Sequence, residues 1–169
     1  EVELIRGDQR IATERLLFDP VNQLVTVPGP IDYSDQQVWL KGSEARYSMV
    51  EESGYFSLVE FGLSHSSAHG SAEWAELEGG HTSRMHQLDY TTCPGENPDW
   101  LIEMKTLDLR HDEGVGYARG AKLRFKGLPL FYVPWFTFPI DDRRKTGFLY
   151  PSLGNNSDTG IEISVPWYW

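Results

Sequence analysis

Residues 121–127 read AKLRFKG, and their two faces separate cleanly: Ala121, Leu123 and Phe125 fall on one side, Lys122, Arg124 and Lys126 on the other. Successive side chains of a strand point to opposite sides, so this alternation predicts a β-strand with one wet face. The same period recurs upstream. YFSLVEF (55–61) sets Phe56, Leu58 and Glu60 against Tyr55, Ser57, Val59 and Phe61. LIEMKTLDL (101–109) places Ile102 and Met104 together and then drifts, as at a bulge. Only SAEWAELEGG (71–80) admits a short helical stripe, through Ala72, Trp74, Ala75 and Leu77, and it alternates nearly as well. Turn residues punctuate the chain at Gly29-Pro30, Gly42, Gly54, Gly62, Gly70, Gly79-Gly80, Pro94-Gly95, Gly114, Gly120 and Gly127. Spacings of roughly 8–12 residues are the rhythm of a sandwich, jelly roll or solenoid, and the expected class is all-β.

A loose repeat accompanies this rhythm. KGSEARY at 41, HGSAEWA at 69 and RGAKLRF at 119 each put a glycine before an alternating run. The separations suggest a stacking unit of about 25 residues that cannot cover its own apolar face.

Composition narrows the function. The 169 residues make one domain's worth of chain, with no apolar run near the ~18–20 residues of a transmembrane helix. The first residues, EVELI, read as a strand with neither a Met nor a leader before them, so both ends look cut from something longer. A net charge of −10 and a pI near 4.9 disfavour a nucleic-acid partner, and the whole-chain balance gives no reason to expect adhesion to an anionic membrane. Asp141 and Asp142 are adjacent, so in a strand they diverge and make a poor glycosidase pair. The His65/His69 and His81/His86 pairs lack the helix that would aim them at one metal. With no nucleophile elbow and no phosphate loop, neither enzyme activity, metal nor cofactor is expected. Cys93 stands alone in YTTCPGENPDW: idle in a cytosolic protein, but in an exported one a pointer to a distant partner.

After Gly127 the composition shifts to LPLFYVPWFTFPIDDRRKTGFLYPSLG, nearly continuous apolar and aromatic residues with Pro129, Pro134 and Pro139 five apart. That spacing excludes a helix and a central strand, and suggests an extended strip bridging two sub-structures rather than lying in a ladder. The chain closes on GIEISVPWYW, where Ile161, Ile163, Val165, Trp167 and Trp169 alternate with Glu162, Ser164, Pro166 and Tyr168.

The junction GLPLFYVPWFTFPIDDRRKTGFLYPSLG, followed by EISVPWYW, resembles that of the lipopolysaccharide-assembly outer-membrane LptD family (OstA/Imp). The stretches YTTCPGENPDW and GDQRIATERLLFDPVNQLV resemble its periplasmic domain, so the likeness spans the chain. It implies a V-shaped antiparallel β-jelly roll of the OstA type over 1–127, a proline-rich junction over 128–150, and the start of an outer-membrane barrel over 151–169. The implied function is non-enzymatic. Lipopolysaccharide would be accepted from the periplasmic bridge protein LptA by edge-strand addition near Val2–Phe18. Its acyl chains would pass along an apolar groove to a barrel plugged by the lipoprotein LptE, at the periplasmic face of a Gram-negative outer membrane.

Candidate lining residues are Phe56, Leu58, Ile102, Met104, Leu123, Phe125, Leu130 and Tyr132, each equally readable as plain core. Arg143, Arg144 and Lys145 would either meet lipid phosphates or form a solvated turn neutralised by Asp141 and Asp142, and the second reading is favoured. The resemblance matches Cys93 to a cysteine oxidised to one late in the barrel, and Pro151 and Pro166 to prolines near the barrel's lateral gate. It also makes the final strand lipid-facing at its apolar positions. Two rivals remain: the soluble bridge protein of the same pathway, and a carbohydrate-binding β-sandwich using the six Trp and eight Tyr.

Overall fold

The computed structural model describes residues 2–95 and 97–141, the side chains of Leu4, Arg6 and Gln9 excepted, and beyond them only the backbone of four short strands between 147 and 168. No helix occurs among the described residues. The chain runs through β1 (Val2–Arg6), β2 (Gln9–Thr13), β3 (Leu17–Asp19), β4 (Leu24–Val27), β5 (Ile31–Ser34), β6 (Val38–Gly42) and β7 (Glu44–Ser48). Six long strands follow: β8 (Ser53–Leu63), β9 (His69–Glu78), β10 (Thr82–Thr91), β11 (Trp100–Arg110), β12 (Val115–Phe125) and β13 (Leu128–Pro139). All thirteen join one antiparallel sheet. The stretch SAEWAELE is therefore strand, as its alternation allowed. Four further strands, β14 (Gly147–Phe148), β15 (Ser152–Asn156), β16 (Gly160–Ser164) and β17 (Trp167–Tyr168), pair separately as β14–β17 and β15–β16.

The sheet has a fork. β8 pairs along one side with β9, but along the other its first half meets β7 and its second half meets β6. From there one arm continues β7–β4–β3 and the other β6–β5–β2–β1.

The fork lies on a line that crosses every long strand. The ladder omits Leu58 opposite Glu73, Glu73 opposite Gln87, Gln87 opposite Lys105, Lys105 opposite Gly120, and Gly120 opposite Pro134. These residues form a single transverse row. On alternate strands the row residue is left-handed: φ is +47° at Leu58, +48° at Gln87 and +63° at Gly120. In the arms, Ser43 falls on the same line between β6 and β7, its amide donating to Ser57 O at 2.9 Å. Buried Thr13 stitches the last arm there, donating its hydroxyl to Pro30 O at 2.9 Å, one residue short of β5. That bond satisfies a carbonyl which the break in the strand would otherwise leave orphaned.

The row resets the alternation. Each long strand presents two consecutive residues outward at the row, then resumes with opposite parity. In β8, Phe56 packs on the core, Leu58 is 66% exposed, and Val59 is 0% exposed. The expected grouping of Phe56 with Leu58 thus fails at a residue whose left-handed backbone rotates the next side chain to the other face. In β11 the drift expected after Met104 is the same event, with Leu107 and Leu109 taking over from Ile102 and Met104.

Two other expectations change. The strip from Leu128 lies in the ladder, pairing with β12 from Val115↔Pro139 to Phe125↔Leu128. Its prolines are tolerated because β13 is an edge among the described strands, where a missing donor on the outer side breaks no described bond, and Pro134 sits where the pair is absent anyway. The glycine repeat marks no structural unit. Gly42 ends β6, Gly70 lies against the Asp89 carbonyl on the neighbouring strand, and Gly120 is on the row.

Candidate functional site

The row divides β8–β13 into two half-sheets, each extended by one arm of the fork. The eight buried members of the main core are Val59, Ala72, Ala75, Leu88, Met104, Leu107, Ala118 and Ala121. Each is the first inward residue beside the row on its strand. Half of them are alanines, so the two half-sheets can approach closely at the line where they meet. Farther from it the inward side chains grow and lose cover: Phe61, Tyr90, Ile102, Leu109 and Leu123 are only half-buried, and Leu63 and Phe125 are 46% exposed. A second core of Val27, Ile31 and Ala45, with Ile11, Leu16 and Phe56 against it, continues the line between the arms.

Burial of the inward side chains thus falls with distance from the row. From β2 to β13 the line crosses nine strands, about 38 Å at the ordinary strand spacing.

On the outer faces several charged and polar groups pair with one another. Arg84 donates to Asp108 at 2.6 Å, and that hydrogen bond, then its charge, holds the guanidinium's pKa above its ordinary value. Ser71 donates its amide and hydroxyl to Asp89, and Arg124 lies 2.9 Å from Glu103. Trp74 stacks on His86 at 5.2 Å and on Tyr55 at 6.3 Å. His81 pairs with Asp112 at 3.0 Å, and no group of three ligating side chains that could hold a metal occurs among the described residues.

Of the candidate lining residues, Phe56, Ile102 and Met104 belong to the packed inward set, Met104 on the floor, and Leu123 and Phe125 continue it toward the rim by alternation. Leu58 lies on the outward row, and Tyr132 opposite Lys122 on the outer face. Leu130 is the extra residue where the β12–β13 register shifts. Phe61, Tyr90, Leu109 and Phe138 are inward residues that alternation did not single out. The signal that would have found them is the pair of adjacent outward residues in mid-strand, such as Glu73-Trp74, His86-Gln87 and Lys105-Thr106.

Cys93 is a half-buried free thiol in the β10–β11 loop, its amide donating to Thr91 Oγ1 at 3.1 Å. Thr91 in turn donates to Trp100 O at 2.6 Å and closes the loop's neck. Arg143, Arg144, Lys145, Pro151 and Pro166 lie outside the described residues. Between β13 and β12, a cavity of about 370 Å³ lined by Ala118, Arg119, Pro134, Trp135 and Phe136 opens where the Gly120–Pro134 pair is missing.

No protein-family model matches the chain. Individual relatives do, end to end. LPS-assembly protein LptD of Alkalilimnicola ehrlichii is 38% identical over 169 residues, which is all of this chain and 22% of that protein. The same-named protein of Nitrosomonas europaea is 36% identical over 99% of the chain and 23% of its own length, and that of Shewanella oneidensis 30% over 100% and 22%. The chain therefore spans under a quarter of these relatives, and the match takes in the long strands, the Cys93 loop and the proline-rich edge. Along its whole length the chain belongs to the family of LPS-assembly protein LptD.

Proposed function

We propose that this segment is a non-enzymatic lipid conduit: a V-shaped jelly roll that holds the acyl chains of lipopolysaccharide in its cleft and passes them toward an outer-membrane barrel. The observation that carries the reading is the gradient of burial away from the row, with inward apolar side chains buried beside it and half-exposed farther out, as an apolar trough left open along one side would have them. Burying one methylene is worth roughly 0.8 kcal/mol, so a dozen carbons fully enclosed would gain about 10 kcal/mol and leave slowly. An open trough covers only part of each chain, which keeps the lipid out of water yet lets it slide.

The ends of the trough fit the same reading. β1 pairs only with β2 among the described strands, so its outer edge is available for strand addition by LptA. β13 leads at the other end into the short strands that we assign to the start of the barrel, and LptE would act through the protein beyond this chain. Cys93 would pair with a cysteine late in the barrel, and its position in a loop rather than in the sheet is compatible with such a link. The carbohydrate-binding alternative is weakened by Trp74, Tyr55 and His86, which stack on one another instead of offering a free platform.

The test is in-cell photo-crosslinking in the full-length protein, with benzoylphenylalanine at Ile102 or Phe125 and, as outward controls, at Leu58 or Tyr132. Lipopolysaccharide adducts are expected at the first two positions. Equal or stronger labelling at Leu58 and Tyr132 would reject the cleft as the path.

A further inference from the structure

The cations of this acidic chain are unevenly placed. Residues 119–139 contain four Lys or Arg and no Asp or Glu, whereas the whole chain is −10. These residues are the second half of β12, the tight turn and all of β13. Outside this segment, Arg10, Lys41, Arg84 and Arg110 each lie within 4 Å of a carboxylate, as does Arg124 within it. Arg119, Lys122 and Lys126 are exposed and, among the described residues, form no ion pair.

The free cations are interleaved with exposed aromatics. Arg119 is directly opposite Trp135, which is 69% exposed, and Lys122 opposite Tyr132, which is 59% exposed. Lys126 sits 5.8 Å from the centre of the Phe125 ring. Trp and Tyr beside Lys and Arg are the residues that sit at the headgroup level of a bilayer, apolar ring bodies inward and charges at the phosphates.

A protein strand is a poor occupant of this edge, because three prolines within β13 cannot donate to a ladder. From the cation–aromatic pairs, the local charge and the proline-blocked edge, we propose that the β12–β13 end of the sheet docks on the headgroup layer of an anionic phospholipid leaflet. The acidic remainder is repelled by the same surface, so the charge asymmetry also orients the cleft with this end toward the membrane. The inference does not depend on what the cleft carries.

The probe is flotation of the chain with lipopolysaccharide-free vesicles of phosphatidylcholine, alone or with one quarter phosphatidylglycerol, at 0.1 M salt. Binding to the anionic vesicles and none to the neutral ones is expected. Each cation near such a surface contributes roughly fivefold, so Lys122→Gln with Lys126→Gln lowers binding roughly 25-fold. Trp135→Ser weakens it as well, whereas Lys41→Gln, at the far arm, leaves it unchanged. These positions are exposed, and unchanged circular dichroism separates lost binding from lost folding. Equal binding to both vesicle types, no binding at all, or the same loss in Lys41→Gln overturns the proposal. The cleft reading is judged separately, by lipopolysaccharide crosslinking at Ile102.

Discussion

Leu58 and Val59 are neighbours in one strand, and the transverse row assigns them opposite energetic roles. Val59 is fully buried, so Val59→Ala deletes two methyl groups from a closed floor, roughly 0.8 kcal/mol each. With the cavity left behind, the loss is about 2 kcal/mol. Leu58 is 66% exposed, so removing its side chain forfeits at most about 1 kcal/mol of burial. Its left-handed backbone, φ +47°, costs a side-chain-bearing residue about 1–2 kcal/mol that glycine does not suffer. Glycine returns about 0.4–1 kcal/mol of that through the freedom of the unfolded chain. The three terms nearly cancel, and Leu58→Gly should lie within about 0.5 kcal/mol of the parent. Urea denaturation at pH 7, followed by tryptophan fluorescence, measures both variants. If Leu58→Gly destabilises more than Val59→Ala, the row does not switch the faces of β8 and the description of the cleft floor fails.

Two further outcomes follow from local geometry. Gly120 has φ +63° and an added Cβ would lie 2.8 Å from Lys105 Cγ, so Gly120→Ala should lose about 1 kcal/mol in the same denaturation assay; a gain would mean the position tolerates an ordinary backbone. Asp35 accepts the amides of Val38 and Gln37 at 2.7 Å, and those two bonds, in that order, hold its carboxyl below the usual range. A depressed carboxyl stabilises fully above its unfolded value, near pH 4, and loses that contribution as pH falls from there through the lower folded value. The stability gap between the parent and Asp35→Asn should therefore be widest at pH 7 and narrow as pH falls below about 4, and a gap that widened on acidification would contradict the assignment.

The sequence carried the fold class because alternation and turns are local. Ala121, Leu123 and Phe125 read correctly since the window 121–127 lies wholly on one side of the row. YFSLVEF straddles it, and a window centred on the switch mixes two parities into one false face. Nothing in Leu58 or Gln87 announces a left-handed residue, since both are ordinary strand or surface types, and only Gly120 is of the kind that conformation favours. The fork was invisible for a different reason: β6 and β7 meet one strand through long-range pairing, which no local period encodes. Proline spacing excludes a central strand, in keeping with the place of β13 at the end of the described sheet, but it does not keep the strip out of the ladder, since it objects only to pairing on both sides. For the inward face, alternation agrees with the burial of Ile102 and Leu123, whose half-strands are uninterrupted, and departs from it at Leu58 on the switch and at Tyr132 beyond the β13 irregularity. The family came from the long junction motif and from the relatives, not from any period.

The walls of the cleft are halves of the same strands. From β8 to β13 every strand passes from one wall into the other across the row. The walls therefore cannot slide past one another as the separate sheets of a sandwich can, because each is covalently pinned to the other about every 5 Å along the axis. The remaining motion is flexure about the row, like a book whose spine is made of its own pages. Under the proposed conduit reading, a bulky cargo would widen the mouth locally, at the strands it touches, while the floor beneath stays packed. Passage along the axis would then be a travelling bulge in the opening angle that requires no element of the fold to come apart.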